Sequence, residues 1–223
     1  MKESGIEWIG EIPSGWGTSK IKYETEIFGR IGYRGYTTED IVDEGEGVIT
    51  ISPGNIKNDK FNMDDVTYLS FEKYYESPEI MIFSNDIIIV KTGSTIGKVS
   101  IIPKNTPEMT LNPQLIVLKN KKINSKYLYY QTTCRFIKDS FIVEQTGSTT
   151  PTISQEKINN FYILKPPPQE QQQIVDYLDK ETLKIDKLVD IESKRIDLLK
   201  EYRQSLISEV VTGKVDVRDE VLV

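Results

Sequence analysis

Histidine is absent from the 223-residue sequence, and cysteine occurs once, at Cys134. The absence of histidine removes the commonest general base and metal ligand, together with every Ser–His or Cys–His nucleophile pair. A single cysteine excludes a disulfide framework and a thiolate zinc site, and it is typical of proteins kept in a reducing cytosol. The sequence therefore predicts a cytoplasmic protein without a metal centre or a histidine-based catalytic site.

Long apolar runs are missing as well. No stretch of about 18 apolar residues occurs, so no membrane-spanning helix is expected. The first residues, Met1–Gly5, lack the apolar segment of a secretory signal, and none is predicted. Hydrophobic residues make up 38% of the chain and charged residues 28%, which is typical of a globular protein with one large domain, or one domain and an extension.

Acidic residues outnumber basic ones, and the formal net charge is -6. The two signs are nevertheless segregated along the chain. An acidic block, Glu39–Asp86, contains 12 acidic and 3 basic residues, whereas a basic block, Ile87–Lys138, contains 9 basic residues and 1 acidic residue. Two interpretations are open: the blocks form neighbouring surfaces that compensate each other, or the basic block forms a recognition surface for nucleic acid.

The run Lys165–Pro168 separates two regions of different character, because its consecutive prolines cannot continue a helix. Residues 1–165 alternate short β-rich and helical segments, so we predict one mixed domain with a β-rich core. The predicted strands are Gly47–Ile51, Asp86–Val90, Lys98–Ile102 and Gln114–Leu118. The predicted helices run from Ser70 to Pro78, from a cap at Ser125 through Leu128, Cys134, Phe136 and Ile137, and from Ser154.

Residues 166–223 are predicted to form a second region, dominated by one long helix. The segment from Gln169 to about Thr212 contains neither Gly nor Pro, and Gly213 supplies a C-terminal stop. Apolar residues recur at heptad spacing along this segment, as in a coiled coil, and the helix is expected to span roughly 60 Å. The predicted fold class is therefore α+β: one mixed domain with a β-rich core, followed by a single long C-terminal helix that forms a coiled coil.

The apolar stripe of this helix is too long for the preceding domain to bury, so we predict that the helix pairs with a second copy of the chain. The alternative is that the helix folds back across the globular domain. The residues predicted to form the dimer seam are Val175, Leu178, Ile185, Val189, Ile196, Leu199, Leu206 and Val210.

Motifs that resemble catalytic sequences fail in their details. Gly93–Val99 resembles a phosphate-binding loop, but three residues instead of four separate its glycines, and Val99 follows Lys98 where Ser or Thr is required. Asn112–Leu115 weakly resembles the Asn-Pro-Pro-aromatic motif of amino-methyltransferases, but it lacks the second proline and the aromatic residue. We therefore predict no catalytic residue, no metal and no cofactor.

Three loops combine residues that are suited to binding DNA. Arg30–Thr37 interleaves guanidinium, aromatic and glycine residues, and Arg can bond guanine with two hydrogen bonds. Lys91–Lys98 and Gln145–Thr150 offer hydroxyls and backbone N–H groups of the kind that contact phosphates, although turns use the same residues. The predicted DNA-binding residues are Arg30, Tyr33, Arg34, Tyr36, Lys91, Thr92, Ser94, Thr95, Lys98, Ser148 and Thr149.

Four blocks of the sequence, in this order, resemble the DNA-specificity subunit of type I restriction-modification systems. They are Ser4–Pro13 with Gly15 and Trp16; Lys91–Lys98; Thr146–Ser154 leading into Pro166–Gln171; and Leu198–Ile207 with Val211–Arg218. The resemblance covers nearly the whole chain. It implies a target-recognition domain that reads double-stranded DNA, and a long helix that acts as a spacer and docks the modification subunits.

The resemblance also has a consequence for assembly. Family members carry two recognition domains and two long helices, whereas this chain has one of each, so a non-catalytic half-subunit is implied. Two copies would read a bipartite palindromic target and work with methyltransferase and motor-nuclease subunits. A natural short gene product, a truncated fragment and a silent recombination cassette remain open; the start at Met1 and the complete tail favour the first. The competing interpretation is a structural coiled-coil adaptor that does not bind DNA.

Overall fold

The computed structural model describes residues 1–6, 9–30, 35–119, 121–147 and 149–218. The chain divides into two units, Met1–Val175 and Asp176–Val223. The first unit mixes strands and helices around a β-rich core, and most of the second unit is the remainder of one long helix. The predicted α+β class is confirmed.

The strands and helices of the described residues are short, apart from the last helix. The strands are β1 (Lys2–Glu3), β2 (Glu11–Ile12), β3 (Gly17–Lys20), β4 (Glu26–Phe28), β5 (Ile41–Val42), β6 (Gly47–Ile51), β7 (Ile56–Lys57), β8 (Lys60–Phe61), β9 (Thr67–Ser70), β10 (Ile87–Val90), β11 (Val99–Ile101), β12 (Met109–Leu111), β13 (Leu115–Lys119) and β14 (Tyr162–Lys165). The helices are α1 (Ile21–Glu24), α2 (Phe71–Tyr75), α3 (Ser125–Thr133), α4 (Arg135–Glu144), α5 (Gln155–Asn159) and α6 (Pro168–Val211), with 3-10 turns at Thr38–Asp40, Pro53–Asn55 and Pro78–Ile80. Each of the four predicted strands is confirmed to within one residue at either end.

Two four-stranded sheets dominate the first unit. One has the order β11-β10-β13-β4 and is antiparallel throughout. The other has the order β12-β6-β9-β5, in which β12 and β6 are parallel. Two-stranded pairs join β1 to β2, β3 to β14 and β7 to β8.

The sheet that contains β10 is buried on both faces. Ile87 and Ile89 belong to a core cluster that includes Phe141 of α4, while Ile88 and Val90 belong to a second cluster formed with the other sheet. Successive side chains of a strand point to opposite faces, so a strand between two cores needs an uninterrupted apolar run. This explains why β10 reads Ile-Ile-Ile-Val.

Side-chain caps begin two of the short helices where the sequence indicates. Ser70 Oγ accepts the N–H of Lys73 at the start of α2, and Ser154 Oγ accepts the N–H of Lys157 at the start of α5. Each cap satisfies one of the N–H groups that a first helical turn leaves unpaired.

The single helix predicted from a cap at Ser125 through Ile137 is wrong in two details. It is divided into α3 and α4, because Cys134 adopts an extended backbone with φ −64° and ψ 148°. Asn124, rather than Ser125, caps α3, since its side chain accepts two N–H groups of the first turn.

The last helix, α6, is continuous over 44 residues and is about 66 Å long at 1.5 Å per residue. It ends just before Gly213, whose φ of +71° is the left-handed conformation that commonly terminates helices. Among the described residues, no helix combines the length and the hydropathy that crossing a membrane requires.

The start of α6 belongs to the first unit. Val175 is 3% exposed and lies in the same core cluster as Phe141. The Gln171 side chain accepts the N–H of Asn124 over 2.9 Å and donates to the Pro166 carbonyl over 2.8 Å. The structural division after Val175 therefore differs from the boundary predicted at residue 165, because the prolines do not interrupt packing onto the core.

Candidate nucleic-acid interface

The strand order gathers polar loops at one edge of the two sheets. β10 ends where β13 begins, since Val90 pairs with Leu115. β12 ends at the same place and leads into β13 through a short turn, and β4 runs antiparallel to β13, so Arg30 follows beyond the start of β13. We call this surface the loop edge, and it comprises Tyr36, Lys91–Lys98, Asn112–Gln114, Thr146–Gly147 and Thr149–Thr152.

The predicted loop Lys91–Lys98 contacts Pro151 and Thr152, which directly follow the predicted loop Gln145–Thr150. The hydroxyl oxygens of Thr92 and Thr152 lie 2.9 Å apart. The Gly93 N–H donates to the Pro151 carbonyl, also over 2.9 Å. The loop that follows β10 and the loop that contains Thr149 therefore form one surface, although they are far apart in the sequence.

Glycine determines the shape of the Lys91–Lys98 loop. Gly93 and Gly97 have φ values of +107° and +79°, which L side chains rarely adopt. A Cβ atom on Gly97 would also lie 3.0 Å from the ring of Phe141. A strand, β11, follows this loop, as predicted, whereas the phosphate-binding loop of nucleotide hydrolases leads into a helix.

The tip of this loop offers hydrogen-bond donors to a ligand. Ser94 is exposed and Thr95 is half-buried. Neither residue donates a hydrogen bond, from its N–H or its hydroxyl, to another of the described residues. Grouped N–H and hydroxyl donors of this kind are suited to phosphate oxygens.

Lys91 lies half-buried at the base of the same loop. Burial lowers the pKa of its ammonium group. Within the described part of the chain, no carboxylate forms an ion pair with Lys91 or with Lys98. A half-buried cation that lacks a counter-ion gains stabilisation when an anion binds beside it, so the loop edge favours an anionic ligand.

Arg30 does not reach the surface, so the prediction that it contacts DNA is corrected. The residue is 4% exposed, its Nε donates to the Leu111 carbonyl over 3.1 Å, and its Nη2 donates to the Thr110 hydroxyl over 3.1 Å. Burial lowers the pKa of its guanidinium, whose carbon lies 5.4 Å from the ring centroid of Tyr36. Arg30 is therefore not placed to contact DNA. Its buried guanidinium instead supports Tyr36 and β12.

Sequence reasoning misses two residues that join the loops. Asn112 Nδ2 donates to the Tyr36 hydroxyl over 3.0 Å, and Asn112 Oδ1 accepts the N–H of Gln114 over 2.8 Å. The Gln114 carbonyl in turn accepts the N–H of Lys91 over 2.9 Å. The sequence does mark these residues, because a polar Asn-Pro-Gln run lies between two apolar segments. In the sequence analysis this run is compared only with a methyltransferase motif.

The basic block does not form one basic surface. Asp86 lies 3.7 Å from Lys119 Nζ and 3.2 Å from Lys121 Nζ, and Asp59 lies 2.7 Å from Lys138 Nζ. Each of these ion pairs joins the acidic block to the basic block. Compensation between neighbouring segments therefore explains part of the charge segregation, and the basic surface is smaller than the sequence suggests.

The structure describes most of the predicted DNA-binding residues. Tyr33, Arg34 and Ser148 lie outside the described residues. The predicted residues found at the loop edge are Tyr36, Lys91, Thr92, Ser94, Thr95, Lys98 and Thr149. In the described ranges, no group of three or more His, Cys, Asp or Glu side chains is arranged to hold a metal ion.

The second unit carries another candidate surface, an apolar stripe along α6. Four residues of the predicted seam are more than half exposed: Ile185, Val189, Ile196 and Leu199. Leu206 is 42% exposed, and Leu178 and Val210 are partly exposed. A run of exposed apolar side chains along one helix is typical of a coiled-coil or docking surface.

The structure corrects the predicted seam at its first residue, Val175. It is buried in the core of the first unit beside Phe141 and Ile174. A side chain that is already packed cannot also contact a second copy, so the seam begins later in the helix.

A family model described as "Type I restriction modification DNA specificity domain" matches residues 13–201. The chain belongs to this family. The resemblance drawn from the four sequence blocks is confirmed, and the matched range includes the whole loop edge and most of α6.

A curated member of the type I specificity family covers most of this chain. The chain is 28% identical over 186 residues to the type I restriction enzyme EcoR124I/EcoR124II specificity subunit of Escherichia coli. The match covers 81% of this chain and 42% of that subunit. The chain therefore spans less than half the length of this relative.

Solved structures of type I systems share the fold of this specificity-family chain. The HsdS subunit from Thermoanaerobacter tengcongensis matches with a TM-score of 0.63 and 16% identity, over 92% of this chain and 47% of that one. A chain from a structure that describes complex assembly and conformational transition of the type I R-M system matches with a TM-score of 0.68 and 16% identity, over 90% and 46%. The mixed domain and the long helix are thus both features of the known fold.

Proposed function

We propose that this chain is a DNA-reading half-subunit of a type I restriction-modification complex and has no catalytic site of its own. Its loop edge contacts one half of a split DNA target. Methyl transfer and cleavage belong to separate modification and motor-nuclease subunits, which the chain directs to the target.

One observation carries the DNA-reading part of the proposal. The loop edge combines the half-buried Lys91, whose ammonium has no ion pair with a described carboxylate, with the donors of Ser94 and Thr95, among loops that are held together by backbone hydrogen bonds. Phosphate contacts of this type position a protein on DNA, whereas polar side chains that reach base edges provide specificity. The family match agrees with this chemistry.

The second part of the proposal is that two copies pair through α6. The exposed apolar stripe supports pairing, and two chains that each span about half of a relative would together match its length. A two-fold axis would present two identical loop edges in inverted orientation. The target would then be a palindrome of two half-sites, separated by unspecified base pairs whose number follows the helix length.

The third part is that α6 also docks the modification subunits. Apolar residues beyond the seam are exposed as well: Leu188, Ile191, Leu198 and Tyr202. A stripe wider than a two-stranded seam supports contact with more than one partner helix.

A salt series on DNA binding separates this function from a purely structural coiled-coil adaptor. The full chain is titrated into a labelled mixed-sequence 30-base-pair duplex at low salt, and the titration is repeated at rising salt concentration. We expect an affinity that falls linearly on a log–log plot, with each phosphate contact contributing about 0.9 to the slope. The absence of binding at low salt would contradict the proposal and favour the adaptor.

A further inference from the structure

The turn Asn112–Gln114 projects from the loop edge between two buried strands. Leu111 and Leu115 on either side are fully buried, whereas Pro113 and Gln114 are exposed. The turn connects β12 of one sheet to β13 of the other. Its long polar side chain, that of Gln114, therefore stands on a rigid base.

Hydrogen bonds fix the backbone of this turn. The Gln114 N–H donates to Asn112 Oδ1 over 2.8 Å, and the Gln114 carbonyl accepts the N–H of Lys91 over 2.9 Å. The Asn112 N–H donates to the Ile51 carbonyl over 2.8 Å, which joins the turn to β6. The Gln114 side-chain amide, by contrast, makes no hydrogen bond to another of the described residues.

A chain of buried and half-buried contacts supports the turn from behind. Arg30 Nε donates to the Leu111 carbonyl over 3.1 Å, and the Arg30 guanidinium faces the ring of Tyr36. The Tyr36 hydroxyl accepts a hydrogen bond from Asn112 Nδ2, which directs Asn112 Oδ1 toward the N–H of Gln114. The Arg30 guanidinium thus supports the turn at both ends: directly at Leu111, and at Gln114 through Tyr36 and Asn112.

Two residues of the Lys91–Lys98 loop, Lys91 and Gly93, are neighbours of Gln114. A Cβ atom at Gly93 would lie 3.6 Å from Gln114 Nε2, so the amide lies directly beside a residue that has no side chain. Lys91, whose N–H holds the turn, is half-buried and has no ion pair with any described carboxylate. The Lys91 N–H donates to the Gln114 carbonyl, so the residue that would hold a phosphate and the residue that carries the amide are in direct contact.

From this arrangement we infer that Gln114 is a specificity-determining residue that reads an adenine of the half-site. A carboxamide carries a donor and an acceptor side by side, which matches N7 and the N6 amino group of adenine in the major groove. Arg30, Tyr36 and Asn112 are positioning residues that hold this amide in register. The inference rests on the proposed function, because it requires that the loop edge contacts DNA.

The test is a selection from randomised DNA. The full-length chain and its variants are incubated with a pool of duplexes that carry a randomised central segment, and the bound duplexes are sequenced. The variants are Gln114→Ala, Gln114→Glu and Gln114→Asn, with Gln173→Glu as a matched control, because Gln173 is exposed on α6 and lies outside the loop edge. Thermal unfolding checks that each variant is folded.

We expect wild type and Gln173→Glu to enrich the same motif. Gln114→Ala should lose the preference for adenine at one position of the half-site by about tenfold or more, while the other positions are kept. Gln114→Glu should change that position toward cytosine, since a carboxylate only accepts hydrogen bonds, and Gln114→Asn should retain adenine.

The outcomes distinguish this inference from the function on which it rests. If wild type enriches a motif and Gln114→Ala enriches the same motif unchanged, the assignment of Gln114 is wrong and the DNA-reading function stands. If wild type enriches no motif and shows no salt-dependent binding, the proposed function itself is wrong.

The positioning role has its own readout. Tyr36→Phe removes the hydroxyl that holds Asn112, so it should weaken the preference at the Gln114 position alone. An effect spread evenly over all positions, or none, would contradict the positioning role of Tyr36.

Discussion

Asp59 and Lys138 are 79 residues apart in the chain, and Asp59 Oδ1 lies 2.7 Å from Lys138 Nζ. The same carboxylate oxygen accepts the N–H of Val99 over 3.0 Å, and the Asp59 carbonyl accepts the hydroxyl of Tyr129 over 2.7 Å. One hairpin residue thus connects β11, α3 and α4 behind the Lys91–Lys98 loop.

Replacing Asp59 should therefore destabilise the first unit. Asp59→Asn weakens two hydrogen bonds to a charged group, and we expect the free energy of unfolding to fall by about 1 to 2 kcal/mol. Thermal or urea unfolding of the full chain measures this. The control is Asp64→Asn, whose ion pair with Lys57 is exposed and should contribute far less to stability. Equal effects of the two substitutions would contradict the linking role of Asp59.

Lys91 should contribute one phosphate contact. Lys91→Ala should reduce the log–log salt slope of DNA binding by about 0.9, because one fewer counter-ion is released from the DNA. Lys104→Ala is the matched control, since Lys104 is exposed and follows β11 at the opposite end of the sheet. A slope that is unchanged in Lys91→Ala, or lowered equally in the control, would contradict the contact.

The apolar stripe of α6 should mediate self-association. Leu199→Asp places a carboxylate on a seam position that is 59% exposed in the single chain, and we expect the dimer to dissociate into monomers in sedimentation velocity. Lys187→Asp introduces the same group on the side of α6 opposite the seam and should leave the dimer intact. Should wild type itself sediment as a monomer at micromolar concentration, the pairing would be refuted.

Val175 should contribute to the stability of the first unit and not to the pairing of two copies. Val175→Ala removes buried methyl groups from the core of the first unit, so its free energy of unfolding should fall by about 2 kcal/mol. Sedimentation of the folded variant should match that of wild type. A dissociated dimer with unchanged thermal stability would instead restore Val175 to the seam.

Glu24 should make the first unit sensitive to acid. Burial raises the pKa of Glu24, but hydrogen bonds from Lys165 and Ser19 and the charge of Lys122 outweigh it, so the pKa lies below its usual value of 4.5. The stabilisation is complete above about pH 4.5 and is lost as the pH falls through the lower pKa of the folded state.

The substitution Glu24→Gln checks this acid dependence. It should lower the free energy of unfolding at pH 7 by about 2 kcal/mol and flatten its decline below pH 4.5. Glu11→Gln, at an exposed strand position, should change neither. A wild-type curve that Glu24→Gln leaves unaltered would refute the role of Glu24.

Local features of the fold could be predicted because their signals lie within a few residues. The cap at Ser154, the stop at Gly213 and the long helical segment between prolines and glycine are all read from neighbouring residues. The break at Cys134 could not be predicted, since neither Gly nor Pro marks the place where Cys134 adopts an extended backbone between α3 and α4.

The candidate site was predicted only in part, because its contacts join residues that are distant in the sequence. Arg30 donates to a carbonyl 81 residues away, so its burial has no local signal. Gln114 is likewise placed by the N–H of Lys91, in the loop that follows β10. Residue type alone identified polar loops, but the strand order decided which of their side chains face outward.

The most direct test of the central claim is to express the chain with its cognate modification subunits and sequence the methylated sites. The proposed function predicts a bipartite palindrome: two identical half-sites in inverted orientation, separated by a fixed number of unspecified base pairs. An asymmetric target, or methylation at the same sites without this chain, would contradict it.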